Sequence, residues 1–318
     1  MRFGIMLHTT AEYANWDNLS AIASEAERLG YDSLYVNDHF YLDRSIHGPY
    51  PECWTVLSAI AASTNRVRLG TYVLCNQFRH PSLLAKMTAT LDAISRGRLN
   101  LGIGSGWFRG EHLAFGFEWG SHATRIARLR ESLELMKKLW TEDHVTYNGK
   151  YYHVKDASLE PKPIQKPHPP ILIGGSSKEI KELIAKEADG WIPVLPSQEQ
   201  LTQGIHDIGQ AMTLLGRDTK RLHVAFGASA LPNYYGIIVA ETDEQVKKMA
   251  GQLAQRIGKP LEMDEGATAS IMGTPGRCIT RIEQLRETGV QEVVSAFQDF
   301  PSLDGMRLFA RTIFPHFK

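Results

Sequence analysis

The chain has 318 residues, is 43% hydrophobic, and carries 35 Lys plus Arg against 35 Asp plus Glu. That is enough apolar material for a large core, and the balanced charge argues against nucleic acid as the main partner, which calls for a basic excess. Cys53, Cys75 and Cys278 show no CxxC spacing, which argues against a zinc ribbon or redox pair and fits a reducing compartment.

The opening run MRFGIML is too short for a signal peptide or a membrane span, so a cytoplasmic location is expected. Met1–Leu7 reads as a strand. Trp16–Leu29 reads as a helix, with Leu19, Ile22, Ala23, Ala26 and Leu29 at helical spacing and Gly30 as its stop. Ser33–Val36 reads as the second strand, Glu52–Ala62 as the second helix, and Arg66–Leu74 as the third strand. A helix then starts at Pro81 and runs to Ile94, followed by a fourth strand at Arg98–Gly104. Ala123–Trp140 carries Leu129, Leu133, Met136 and Leu139 on one stripe and reads as the fourth helix.

An irregular stretch, Thr141–Pro170, contains a hairpin signal at Asn148–Gly149 and a proline-rich crossing. Its length predicts an insertion, read as a lid over a barrel mouth. Ile171–Gly174 reads as the fifth strand, Lys178–Glu187 as a helix, Gly190–Val194 as the sixth strand, and Gln198–Leu215 as a helix stopped by Gly216. The seventh strand is His223–Gly227 or its rival Tyr235–Ala240. Thr242–Ile257 reads as a helix extra to the repeat. Pro275–Thr288, capped by Thr274, reads as the last barrel helix, and Glu292–Phe297 as the eighth strand. Strict strand–helix alternation makes a doubly wound sheet or a barrel. Eight units of this length favour one (β/α)₈ barrel over the whole chain, although two domains are compatible with length alone.

Chemistry in such a barrel sits at the C-terminal ends of the strands. Those ends supply His8, Asp38–His39, Tyr72–Val73 through Asn76, Gly104–Ser105–Gly106–Trp107, Gly174–Gly175–Ser176–Ser177, Trp191 with Pro193, and Phe297–Gln298. A histidine titrates near neutrality and can move a proton; a neighbouring carboxylate can orient it. That makes His39 and Asp38 the catalytic candidates, against the plainer reading of a turn cap and a backbone-satisfied ring. Gly174–Gly175–Ser176–Ser177 leading into a helix has the shape of an anion cradle, since glycines admit the backbone and free N–H groups favour negative charge. A plain turn with Ser177 as cap is the alternative. The run GIGSG at Gly102–Gly106 lacks the later glycine of a dinucleotide fingerprint. His8, Asp38, His39, His47 and His80 have no metal-ligand spacing. Trp107, Phe108, Trp119 and Trp191 offer aromatic surface for a planar ring, or else core filling. Arg79 and Arg109 are candidates to meet anionic groups, or solvated surface charges.

The runs AERLGYDSLYVNDHF, RVRLGTYVL, HPSLLAKMTATLDAISRGRLNLGIGSGWFRGEHLAFG and PHPPILIGG resemble the bacterial luciferase-like monooxygenase superfamily, and within it the oxidoreductases that use the deazaflavin coenzyme F420. The likeness covers the chain to about Val194, returns at GTPGRCITRIEQLRETGVQEVV, and is weak over Pro196–Met272. The resemblance implies a (β/α)₈ barrel, often a homodimer, with a deazaflavin or FMN at its mouth. Asp38 and His39 match the pair beside the reactive ring, and Tyr72–Val73 matches a bulge with a non-proline cis peptide. Gly174, Gly175 and Ser176 match the stretch contacting the cofactor's phosphate-bearing chain. With Asn76, Gly106 and Trp107 at neighbouring strand ends, these are the expected cofactor contacts.

Trp107 stands where the deazaflavin alcohol and sugar-phosphate dehydrogenases carry a glutamate, a candidate proton donor; Glu111 substitutes only if its loop turns inward. The resemblance thus points to an F420-dependent oxidoreductase acting on a small organic substrate. The alternatives are an FMN-dependent monooxygenase and a non-catalytic flavin-binding barrel.

Overall fold

The computed structural model describes residues 1–7, 14–41, 49–194, 196–228, 236–257 and 271–318. In chain order these form β1 (Arg2–Met6), α1 (Trp16–Leu29), β2 (Ser33–Val36), α2 (Cys53–Ser63), β3 (Arg68–Thr71), β4 (Leu74–Cys75), α3 (Pro81–Ile94), β5 (Leu99–Gly104), α4 (Arg109–Ala114) and α5 (His122–Thr141). Then come β6 (Val145–Asn148), β7 (His153–Ala157), β8 (Ile171–Gly174), α6 (Lys178–Glu187), β9 (Gly190–Ile192), α7 (Gln198–Leu214) and β10 (His223–Gly227). The last elements are β11 (Ile238–Val239), α8 (Asp243–Ile257), β12 (Met272–Gly273), α9 (Pro275–Thr288), β13 (Glu292–Ser295), α10 (Asp304–Thr312) and α11 (Phe314–Phe317).

The main sheet runs β3-β2-β1-β13-β10-β9-β8-β5-β4, and β3 also pairs with β5, which closes it on itself. All its pairings are parallel. The segments β3 and β4 share one barrel position, interrupted at Tyr72–Val73, whose peptide is cis. The architecture is therefore a (β/α)₈ barrel. Strands β2, β5, β8 and β13 are buried along their whole length, as strands covered on both faces must be.

Helix α1 shows how the sequence builds each outer element. The Asn15 side chain accepts the Asn18 N–H at 2.9 Å, Leu19, Ile22, Ala23 and Ala26 form its buried stripe, and Gly30 closes it in the left-handed region at φ 83°. The large core lies between helices and sheet. A smaller one fills the barrel itself, with Met6, Tyr35, Tyr72, Leu172, Ile192, Ala225 and Val294. Tyr35 and Tyr72 meet edge to face there, with centroids 5.6 Å apart. Below them, at the strand starts, the buried Glu292 accepts hydrogen bonds from Ser33, from Tyr35 at 3.2 Å and from His223 Nε2 at 2.6 Å.

Four readings of the sequence are corrected. The third strand is not continuous over Arg66–Leu74: it stops at Thr71 and resumes at Leu74. Helix α9 is not the last helix of the barrel, because α10 follows β13 and packs on α1. It buries Met306, Phe309 and Ala310 on one face, and fully burying a side chain of that kind contributes about 1.5–3 kcal/mol. The rival seventh strand forms a ribbon outside the barrel, with Ile238–Val239 pairing Met272–Gly273. Finally, the insertion between α5 and β8 does not cover the mouth. It lies between a helix end and a strand start, so it leaves from the opposite face of the barrel. Its hairpin, β6–β7, climbs the outside of α5, where Tyr147 donates to Glu134 at 3.0 Å and the Lys150 and Tyr151 N–H groups reach Glu131. Its return carries Gln165 to the starts of β3 and β5, bonding Arg68 and Leu99. Among the described residues no helix is long and apolar enough to cross a membrane.

Candidate active site

The C-terminal ends of β2, β4, β5, β8 and β9 enclose a cavity of about 420 Å³. His39 stands on its wall just after β2. Its Nδ1 lies 3.0 Å from Glu111 Oε2, and the Glu111 side chain is 1% exposed against 13% for His39. The other carboxylate oxygen accepts the backbone N–H of Phe40, and that of Tyr41 at 3.4 Å. A buried carboxylate that accepts from Nδ1–H fixes the imidazole tautomer and leaves Nε2 as the ring's acceptor nitrogen. Trp107 stands edge-on to His39, with centroids 5.6 Å apart, stacks on Phe108 at 5.4 Å, and is 57% exposed.

Glu111 reaches this position because α4 is pinned at its next residue. The buried His112 has Nδ1 2.9 Å from the Phe108 carbonyl and Nε2 3.4 Å from Cys75 Sγ. Nδ1–H therefore donates to the carbonyl, and Nε2 accepts from the thiol. Burial pushes the Cys75 thiol up to about 12, so it stays protonated and able to donate. Burial also lowers the His112 pKa, against the opposing Phe108 hydrogen bond.

Asp38 is engaged differently. Its Oδ2 accepts the Cys75 N–H at 2.9 Å and Arg79 Nη1 at 2.8 Å, and its Oδ1 accepts Arg79 Nη2 at 2.9 Å. Arg79 also pairs with Glu52, the cap of α2. Burial disfavours the Arg79 charge, but the hydrogen bonds and charge of Asp38 outweigh it and raise its pKa further. Asp38 thus ties β2 to the end of β4, and Arg79 is an internal strut with its cationic head already occupied.

The floor is Val73. A Cβ on Gly104 would stand 3.0 Å from Val73 Cγ2, and one on Gly174 2.9 Å from the same atom. A Cβ on Gly102 would collide with the Thr71 carbonyl. Gly102 and Gly104 of the GIGSG run therefore leave room for the interrupted strand, and Gly174 leaves room for the Val73 side chain.

At the other end two helix starts converge. Ser176 and Ser177 precede α6, and the Ser177 hydroxyl accepts the Ile180 N–H at 3.3 Å. His122 and Arg125 lie in the first turn of α5 and line the same cavity. Arg125 is 8% exposed, with its guanidinium 3.8 Å over the Trp119 ring and Nη1 donating to the Gly120 carbonyl at 3.2 Å. Its Nε is buried without a partner, and among the described residues no carboxylate pairs with it. A buried cation without a counter-charge, beside two helix N-termini, makes this end of the cavity electropositive.

Of the residues read from the sequence, Asp38, His39, Tyr72, Val73, Gly106, Trp107, Gly174, Gly175 and Ser176 come together around this cavity. Asn76 does not line it; the residue is buried, with Nδ2 unpartnered. Trp191 is core: it is 1% exposed, and its indole N–H donates to the Gly175 carbonyl at 2.7 Å. Arg109 is exposed. His8 and His47 lie outside the described residues. His122 and Arg125 were missed, although both stand in the first turn of α5.

The chain belongs to the luciferase-like monooxygenase family, whose model matches residues 1–292. It is 27% identical over 335 residues, 98% of this chain and 91% of the relative, to an FMNH(2)-dependent dimethylsulfone monooxygenase of Pseudomonas putida. It is 37% identical over 186 residues to an F420-dependent glucose-6-phosphate dehydrogenase of Amycolatopsis mediterranei, which is 58% of this chain and 55% of that protein. The crystal structure of the monooxygenase RslO1 from Streptomyces bottropensis superposes with a TM-score of 0.82 at 26% identity, covering 100% of both chains. Members of the family are oxidoreductases or monooxygenases, and the first two of these relatives divide between FMN and F420.

Proposed function

We propose that the mouth cavity holds coenzyme F420 and that the enzyme transfers a hydride between this deazaflavin and a small organic substrate. The observation that carries the reading is the His39–Glu111 pair on the wall of a glycine-lined cavity whose far end holds the unpaired Arg125 cation. Val73, Gly104 and Gly174 would support the ring system, and Ser176, Ser177, His122 and Arg125 would hold the phosphate-bearing chain. When bound, the deazaflavin supplies hydride acceptance or donation at its central ring carbon. Hydride transfer to or from an alcohol, carbonyl or imine leaves one proton to be moved, and His39 Nε2 is placed to move it. Glu111 holds the opposite ring nitrogen and stabilises the imidazolium formed when Nε2 takes that proton. Trp107 carries no acid and takes no part in moving the proton. Asp38 positions the loop and the end of β4. The 37% identity to an F420-dependent dehydrogenase supports this reading.

A second reading, an FMN-dependent monooxygenase, is favoured by the match to the dimethylsulfone enzyme over 98% of this chain. The test is a paired assay. Anaerobic redox change of F420 with a panel of alcohols, aldehydes, imines and activated alkenes supports the first reading. Oxygen uptake dependent on reduced FMN, with no F420 turnover, supports the second.

A further inference from the structure

The opposite end of the barrel holds a second and larger cavity, about 810 Å³. It opens where the strands begin. Arg2 starts β1, Arg68 starts β3, Lys220 and Arg221 precede β10, and Arg286 ends α9; all five line it. Elsewhere Arg79, Lys137, Lys181 and Arg307 have carboxylate partners. Among the described residues none of these five has one.

Arg68 forms the inner wall. It is half-buried, and neutral oxygens hold it rather than a carboxylate: Asn100 Oδ1 at 2.6 and 3.1 Å, the Leu99 carbonyl at 3.2 Å and Gln165 Oε1 at 3.1 Å. These bonds use Nε and Nη2, and among the described residues Nη1 has no hydrogen-bond partner. One carboxylate, Asp189, lines the cavity with them and accepts the Ile171 N–H at 3.0 Å, while Glu292 is closed off below by His223, Tyr35 and Ser33. Five cations against one lining carboxylate leave an excess of positive charge that an entering anion would relieve.

We infer that this cavity is a binding site for a small polyvalent oxoanion, a phosphoryl compound or a polycarboxylate. The anion would meet Arg68 at its inner end and Lys220, Arg221, Arg286 and Arg2 at the rim. The volume falls within the range of small-molecule sites. Such a ligand would tie together the starts of β1, β3 and β10, so binding would register as stability of the barrel. The site lies on the face away from His39, so the inference does not rest on the proposed function.

The test is thermal unfolding and titration calorimetry of the whole protein with pyrophosphate and, separately, with citrate, against sodium chloride at matched ionic strength. The expected result is a saturable rise in melting temperature with one or both polyvalent anions beyond the chloride control; which one succeeds separates phosphoryl from carboxylate ligands. In the variant carrying Lys220→Glu and Arg221→Glu, both at exposed positions, affinity should fall at least tenfold while unliganded stability is kept. Arg68→Met should weaken binding as well. Arg125→Ala, at the opposite mouth, should leave the rise intact. The inference is overturned if neither anion exceeds the chloride control. It is overturned equally if the rise survives in the doubly charge-reversed variant or vanishes in Arg125→Ala.

Discussion

His39 Nδ1 lies 3.0 Å from Glu111 Oε2, across 72 residues of chain. The carboxylate is the more deeply buried partner, so the histidine is oriented by the group less open to solvent.

Removing the imidazole removes the proton carrier. His39→Ala should therefore lower kcat by about 10²–10⁴-fold, the usual contribution of a general acid–base group, with cofactor affinity nearly unchanged. Full turnover in this variant would remove the assignment.

Glu111→Gln tests orientation separately. The glutamine oxygen can still accept the Phe40 and Tyr41 N–H groups, but its amide places an N–H opposite Nδ1. The imidazole should then carry its proton on Nε2, which nitrogen NMR of the ring would report. We expect kcat to fall with little change in melting temperature; an unchanged tautomer and unchanged kcat would contradict the role.

The glycine floor gives a graded prediction. Gly102→Ala places a methyl against the backbone carbonyl of Thr71, which has little room to move. It should destabilise the fold most. Gly174→Ala meets only the Val73 side chain at 2.9 Å. It should cost less stability and weaken cofactor binding more. Melting temperature and cofactor affinity, measured on both variants, check the ordering.

Arg125→Ala should weaken FMN and F420 by about ten- to a hundredfold, the scale of a hydrogen bond to a charged group. Riboflavin, which has no phosphate, should bind the variant as well as it binds the parent. Equal losses for riboflavin and FMN would move the phosphate contact elsewhere.

Glu25 joins α1 to the C-terminal helix α10. Its carboxylate takes Arg28 Nε at 2.7 Å and Arg307 Nε at 2.6 Å. The Arg28 hydrogen bond, opposed by burial and aided by Arg307, lowers its pKa from 4.5 to about 2. A depressed carboxyl contributes stability above its unfolded pKa and loses it as pH falls through the folded one. Glu25→Gln should therefore melt below the parent at pH 7, and the gap should narrow as pH falls below 4.5. Melting curves of both proteins between pH 7 and pH 3 check the sign.

The barrel was legible because parallel strands buried on both faces read as short apolar runs, and helices such as Trp16–Leu29 and Pro275–Thr288 carry their own stops and starts. The break in the third strand was not legible from periodicity, since Arg66–Leu74 is apolar on both sides of Tyr72–Val73. Only the family likeness marked it. His39 could be found because it follows a strand directly. Glu111 was named only as a stand-in proton donor; its pairing with His39 was not legible, because it sits on the six-residue helix α4 and no local spacing links it to β2. The insertion was misplaced because its length suggested a lid, whereas its position after a helix and before a strand assigns it to the far face. Helix α10 was passed over because it follows the last strand, although Met306, Phe309 and Ala310 keep helical spacing.

The most direct test is fluorescence titration of the purified apoprotein with F420 and with FMN. The account predicts that F420 binds at least tenfold more tightly than FMN and that Arg125→Ala weakens it. Tighter binding of FMN, by a similar margin, would contradict the assignment and make the oxygen-using reading the correct one.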